Sequence, residues 1–373
     1  GGGPLPAPPR AARRPPGPEC AAAALAHGRF TPMVDCWLTG WDEAFTRRLA
    51  HRGWIGMTVP TEYGGHGRSH VERFAVTEEL LAAGAPVGAH WIADRQISPS
   101  LLKFGTESQR RRLLPGIVAG EVFFGIGMSE PDAGSDLAAV RTRAEQVDGG
   151  WRVRGVKVWT SGAHAAHYFI CLARTSPLDT SDRHAGLSQF IVDLRGPGVT
   201  VSPIRSMNGS HHFNEVLLDD VFVPDEMVFG DIGNGWLQVT SELAFERSGP
   251  ERFLSTFPLV AKLADEPDLA RSSPAFGANI ARLAGLHTMS ESVAHTLAAG
   301  HDADVAAAVV KVLGTTLEGD IADDVDVILG DEVHQPELAR LVSTATDQRP
   351  GFTLRGGTNE VLRGVIARGL GMR

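Results

Sequence analysis

The sequence predicts an α+β protein with an N-terminal all-helical domain, a small antiparallel β domain in the middle and a C-terminal four-helix bundle. Three observations predict it. Apolar residues recur at helical steps near the N-terminus; between about Phe123 and Val223 they fall into short runs broken by turns; after Gly235 the helical step returns. With 373 residues the chain is long enough for two or three packed domains, and 43% hydrophobic with 21% charged residues is ordinary for a globular protein. The expected division is 1–20 as a flexible arm, 21–122 helical, 123–235 β and 236–373 helical bundle.

Each element has its own signal. Residues 1–18 are rich in Gly, Pro, Ala and Arg and lack the apolar stretch of a secretory signal, so they read as a loosely packed arm. From Trp41 to Gly120 the helical runs Val71–Ala83 and Ser108–Ala119 are punctuated by Gly64, Gly65 and Gly67. In the middle, Trp151–Val153, His167–Ala173, Ser188–Leu194 and Phe213–Leu218 have strand texture, with turns at Asp148-Gly149-Gly150 and Gly196-Pro197-Gly198. Further on, Phe276, Ile280, Leu283, Leu286, Met289, Val293 and Leu297 form one helical stripe, and Val305, Val309, Leu313, Leu317, Ile321 and Val325 another. Amphipathic stretches at Trp236–Ala264 and Asn359–Leu370 supply the other two helices of a bundle.

Composition excludes several functions. A net charge of −9 with no basic stripe argues against nucleic-acid binding, which needs cations to replace released counterions. The three cysteines, Cys20, Cys36 and Cys171, are far apart, so neither a disulfide framework nor a zinc site is expected. The fourteen histidines include no HExxH, and His211-His212 reads as a surface or loop pair rather than a metal site. No apolar run reaches the 18 or so residues that span a bilayer, and a cytoplasmic location is the expectation.

Three segments stand out, the first of them read as a turn without a ligand role. The first is Gly53-Trp54-Ile55-Gly56 followed by Pro60-Thr61-Glu62-Tyr63-Gly64-Gly65-His66-Gly67, whose glycines supply tight turns. The second is Gly127-Met128-Ser129-Glu130-Pro131-Asp132-Ala133-Gly134-Ser135-Asp136, with Gly155-Val156-Lys157-Val158-Trp159-Thr160-Ser161-Gly162 some thirty residues on. The third is Leu354-Arg355-Gly356-Gly357-Thr358-Asn359-Glu360-Val361-Leu362-Arg363, which opens the last helix. Together they resemble the acyl-CoA dehydrogenase family, over nearly the whole chain; the second matches its TEPxAGSD signature with Ser for Thr.

That resemblance implies bound FAD. Met128 and Ser129 would touch the flavin, Trp159 would cover one face of it, Ser161 would face its reactive nitrogen, and Thr358 and Glu360 would meet the cofactor from the C-terminal segment. Ser135 would approach the thioester substrate. Fixed donors at a flavin edge stabilise the electron density that reduction adds. Plain structural readings stand beside these: Trp159 as β-domain core, Thr358 as a helix N-cap with Glu360 favouring the positive helix end.

Removing the α proton of a thioester needs a carboxylate in a water-poor cleft. In the commoner family arrangement it precedes the Gly-Thr of the C-terminal segment, where this chain has Gly356. In members resembling isovaleryl- and long-chain-acyl-CoA dehydrogenases it precedes an arginine in the helix after the β domain, and here that pair is Glu246-Arg247. Glu246 is therefore the candidate base and Arg247 a candidate substrate contact; the alternative is a solvated ion pair of little worth. Gly249-Pro250 should end the helix just beyond.

The resemblance lapses where family tetramers carry Arg-x-x-x-Phe-Gly and Gln-x-x-Gly-Gly-x-Gly to reach a neighbour's FAD. This chain has Ser272-Ser273-Pro274-Ala275-Phe276-Gly277 and Ile328-Leu329-Gly330-Asp331-Glu332. The resemblance thus implies an acyl-CoA dehydrogenase, handing electrons to an electron-transfer flavoprotein and assembled as a homo-oligomer (dimer or tetramer) or as a hetero-oligomer with a related subunit. A heteromer subunit, a flavin-dependent monooxygenase and an oxidase of carrier-protein thioesters are the competing readings.

Overall fold

The computed structural model describes residues 30–247, 249–330 and 335–372; the side chains of 242–246, 271 and 272 lie outside the described set. The arm expected at 1–20, with Cys20, also lies outside it. The helices α1 (Cys36–Thr39), α2 (Glu43–His51), α3 (His70–Ala82), α4 (Gly88–Ile92), α5 (Ser98–Phe104) and α6 (Glu107–Val118) form the N-terminal layer. Capping boxes start α3 and α6, where Ser69 and Thr106 accept from the backbone of Glu72 and Gln109, whose side chains return to the cap amides. Between α4 and α5 one turn, Ala93–Ile97, is a π-helix. It buries Asp94, whose carboxylate accepts from the Gly56 amide at 2.7 Å, so the glycine turn quoted above is tied to the helical layer.

The middle of the chain forms one sheet of eight strands: β1 (Phe124–Gly127), β2 (Arg143–Val147), β3 (Gly150–Lys157), β4 (Tyr168–Arg174), β5 (Leu187–Asp193), β6 (Val199–Arg205), β7 (His211–Pro224) and β8 (Val228–Phe229). The order is β6-β7-β3-β2-β4-β5-β8, with β1 beside β4. The expected antiparallel pairing has two exceptions. β1 runs parallel to β4, and β2 meets β4 in parallel at Arg143 and Arg174. A parallel pair needs a long crossover, and the β2–β3 hairpin lies within the connection from β1 to β4.

The C-terminal part holds α7 (Gly235–Arg247), α8 (Phe257–Ala264), α9 (Pro267–Ser272), α10 (Pro274–Ala298), α11 (Asp304–Leu329), α12 (Pro336–Phe352) and α13 (Asn359–Gly369). The amphipathic stretch Trp236–Ala264 is two helices separated by a 3-10 turn at Pro250–Arg252, the break falling at Gly249-Pro250 as expected. Helix α12 was not expected: its buried stripe of Leu338, Leu341, Val342 and Ala345 is short, and Pro350 lies within it. Helix α11 is central, touching α7, α10, α12 and α13.

Two large cores meet in the N-terminal layer. One joins Trp37, Leu49 and Leu81 to Phe253, Val310 and Leu341 of the bundle; the other joins Ile97, Leu101 and Leu114 to Phe169, Phe190 and Val216 of the sheet. A third, smaller cluster seats Met128 against Val239 of α7, with Trp236 packed on it. His212, expected at the surface or in a loop, is buried in β7 at 5% exposure, and its ring nitrogens have no hydrogen-bond partner among the described residues.

Candidate active site

The loop after β1 is locked from inside. Lys157, wholly buried at the end of β3, donates to the Met128 carbonyl at 3.0 Å and to the Glu130 carboxylate at 2.8 Å. Glu130 also accepts from the amides of Arg141 (2.6 Å) and Thr142 (2.9 Å). Burial pushes its carboxyl up, but the Lys157 ammonium and these donors together hold it below the usual value. The Val158 amide donates to the Ser129 carbonyl at 2.9 Å, so Met128-Ser129 and Trp159–Ser161 lie side by side. Lys157 and Glu130 were inside the quoted motifs without a role; their separation of 27 residues hid the pairing.

Beyond Lys157 the backbone turns sharply. Trp159 adopts φ +61°, a left-handed conformation rare for a non-glycine residue. Its indole is 57% exposed and meets Phe213 edge-on at 5.5 Å. Ser161 and Ser129 are half-buried beside it, and the buried Thr160 hydroxyl has no partner. Ser135 is exposed next to Gly134, around which there is open space, and Asp136 pairs with Arg183 at 2.6 Å.

The second group of candidates lies where α7 ends. The Arg247 Nε donates to the Gly356 carbonyl at 3.0 Å. Glu246 is the penultimate residue of α7, its side chain outside the described set. Gly356 and Gly357 have φ of +66° and +87°, so a glutamate at 356 would be strained in this backbone. Wholly buried Lys311 of α11 holds the same turn, donating to the carbonyls of Thr353 (3.0 Å) and Gly357 (2.8 Å) and to Asn359 Oδ1 (2.8 Å). Arg355 pairs with buried Asp35 of the N-terminal layer and lies over the Trp37 ring at 4.8 Å. Thr358 caps α13, its hydroxyl accepting from the Val361 amide at 3.3 Å. The exposed Glu360 carboxyl is held below its usual value by its own backbone amide and the Thr358 hydroxyl.

Three family profiles cover the chain: the acyl-CoA dehydrogenase N-terminal domain over residues 21–121, the middle domain over 125–221 and the C-terminal domain over 270–371. The chain belongs to the acyl-CoA dehydrogenase family. Acyl-CoA dehydrogenase FadE29 of Mycobacterium tuberculosis is 35% identical over 338 residues, spanning 87% of this chain and 86% of that protein. Among solved structures, the Tcur3481-Tcur3483 steroid ACAD superposes with a TM-score of 0.81 at 30% identity over 91% of each chain. The ChsE4-ChsE5 complex from Mycobacterium tuberculosis gives 0.75 at 29% identity, over 95% of this chain and 92% of that one.

As an acyl-CoA dehydrogenase the protein is an FAD-dependent oxidoreductase, and its residues fit that cofactor. An exposed indole held at a strained φ offers a flat apolar face, and the half-buried Ser129 and Ser161 adjoin it along the backbone. A tricyclic ring with a polar rim matches both. The dehydrogenase has no helix among the described residues long and apolar enough to cross a membrane.

Proposed function

We propose that this acyl-CoA dehydrogenase converts an acyl thioester to the trans-2-enoyl thioester with Glu246 as the base. What supports the assignment is the bond from Arg247 to the Gly356 carbonyl. It sets the end of α7 against the turn that carries the family's other base position. With glycine at 356 in a left-handed conformation, the carboxylate is supplied from α7.

When bound, FAD supplies a two-electron acceptor for the hydrogen that leaves the β carbon as hydride. Glu246 takes the α proton. Ser129 and Ser161 would donate to the polar rim of the ring, Trp159 would cover its face and shut out water, and Met128 seats the loop on α7. Ser135 and Arg247 would orient the thioester, and Thr358 and Glu360 would complete the cofactor site from the C-terminal turn. An electron-transfer flavoprotein would be the acceptor that returns the cofactor to its oxidised form.

Anaerobic addition of an acyl-CoA panel tests the reading. A suitable acyl-CoA bleaches the flavin band of the wild type, and Glu246→Gln keeps the flavin but slows bleaching by about 10²- to 10⁴-fold, the scale of a general base. Bleaching at the wild-type rate in Glu246→Gln would remove the base assignment.

A second reading concerns assembly. Ser272 stands where family tetramers have an arginine, and the Gln-x-x-Gly-Gly-x-Gly turn is missing at 328–332. The ChsE4-ChsE5 structure is a complex of two chains. Both observations favour a hetero-oligomer whose second chain completes the FAD site over a homo-oligomer. If the chain alone with FAD develops the full flavin spectrum and bleaches, the homomeric form is the working enzyme.

A further inference from the structure

The left-handed backbone at Trp159 is strained for a residue with a side chain and persists only where its surroundings over-determine it. What holds it is the start of β7. The Thr160 amide donates to the Asn214 carbonyl at 3.0 Å, and the Gly162 amide donates to the His212 carbonyl at 2.8 Å. The side chain of Asn214, wholly buried, closes the clamp: its Nδ2 donates to the Thr160 carbonyl at 3.0 Å and lies 3.2 Å from the His212 carbonyl. Both peptide groups around Thr160 are thereby gripped by one residue.

The orientation of that amide follows from its neighbours. Carbonyl oxygens only accept, so the nitrogen faces Thr160 and His212 and Oδ1 faces His211. His211 Nε2, 2.8 Å from Oδ1, must then donate. His164 Nδ1, 3.2 Å from Nδ2, cannot carry a proton toward that donor, so its imidazole is neutral with the proton on Nε2, and the two hydrogens of Nδ2 are shared among three acceptors. The two imidazoles lie 4.3 Å apart, and partial desolvation together with His211 holds the surface-reaching His164 below the usual histidine value. His211 as donor and His164 as acceptor thus match the amide orientation that the Thr160 and His212 carbonyls require.

We propose that Asn214, oriented by His164 and His211, is a positioning residue that holds the Trp159–Ser161 turn in its reactive geometry against the flavin. The proposal rests on the reading that Trp159 and Ser161 face the cofactor. Asn214, wholly buried, acts through the backbone of Thr160. Asn214→Asp keeps the shape but sets a carboxylate against two carbonyl oxygens.

Hydrogen exchange of the full chain, with and without FAD, reads the clamp directly. In Asn214→Asp the Thr160 and Gly162 amides should exchange at least about tenfold faster while β4 and β5 keep wild-type protection. Saturating acyl-CoA should reduce the flavin at least about tenfold more slowly, with KM moving less than about threefold. His164→Phe removes only the acceptor from an exposed position and keeps the test alive if the aspartate variant does not fold. It should speed the same two amides by about two- to threefold. Wild-type exchange of these amides in whichever variant folds overturns the proposal. So does faster exchange in Asn214→Asp without slower flavin reduction. Exchange needs no substrate: a wild type that no acyl-CoA reduces, with a clamp that opens in Asn214→Asp, refutes the proposed activity and leaves the clamp standing.

Discussion

Trp159 separates two roles that a tryptophan in a β domain can have. A core indole is covered and stabilises the fold, whereas this one is 57% exposed on a strained backbone. Glycine adopts φ +61° without strain, so Trp159→Gly trades a small entropic loss in folding for relief of that strain. Urea unfolding of the apoprotein should stay within about 1 kcal/mol of wild type, and FAD should bind at least about tenfold more weakly, about 1.4 kcal/mol. A loss of several kcal/mol in the apoprotein would return Trp159 to the core. At the same scale, Thr358 does cap α13 as its position before the helix suggests, and a cap leaves its side chain near the surface, where a cofactor contact is compatible with it.

At the scale of elements, strand β3 and the loop after β1 are joined by a buried charge pair. The Lys157 ammonium and Glu130 carboxylate, 0% and 6% exposed, stabilise the native state only while both are present. Lys157→Met strands a carboxylate that still accepts two amides, and should cost about 3–5 kcal/mol in urea unfolding. Adding Glu130→Gln should recover part of that loss, since a neutral amide needs no counter-charge. A double variant no better than the single would show that loop packing, not charge, is what Lys157 supplies. The glycine turn at 353–357 is joined to its neighbours by cations in the same way, Arg247 from α7 and Lys311 from α11.

For the whole molecule, burial of ionisable groups makes stability depend on pH. Burial lowers His212 to about 4, with Asp35 and Arg355 adding smaller opposite effects. The folded state then binds fewer protons than the unfolded chain between pH 6.5 and about 4, so this contribution is complete above 6.5 and is lost as pH falls through that window. Comparing wild type with His212→Asn, the stability difference should shift against wild type by up to about 1.4 kcal/mol per pH unit across it. Glu318 runs the other way. Burial raises it to about 7, so its neutral form favours folding at low pH and the advantage is lost as pH rises from about 4.5 to 7. Glu318→Gln should therefore gain on wild type as pH rises over that range. Flat difference profiles would mean that these groups keep solvent-like pKa values.

The order of helices, strands and helices was legible in the sequence, because hydrophobic periodicity is a local property of each element. The turns at Gly56 and Gly64 were legible for the same reason, since positive φ selects glycine residue by residue. Helix α12 was hidden by a proline and a short stripe, and the parallel β1–β4 pairing by the crossover that separates its strands. The family resemblance of the motifs picked out Met128, Ser129, Trp159 and Thr358 as candidates, yet no motif could show that Lys157 reaches Glu130 or that Arg247 meets Gly356. The Asn214 clamp lay between histidines that read as surface groups. Local pattern decides what an element is, whereas pairing of buried polar groups is decided by which distant segments exclude water together. Only the tertiary structure decides that.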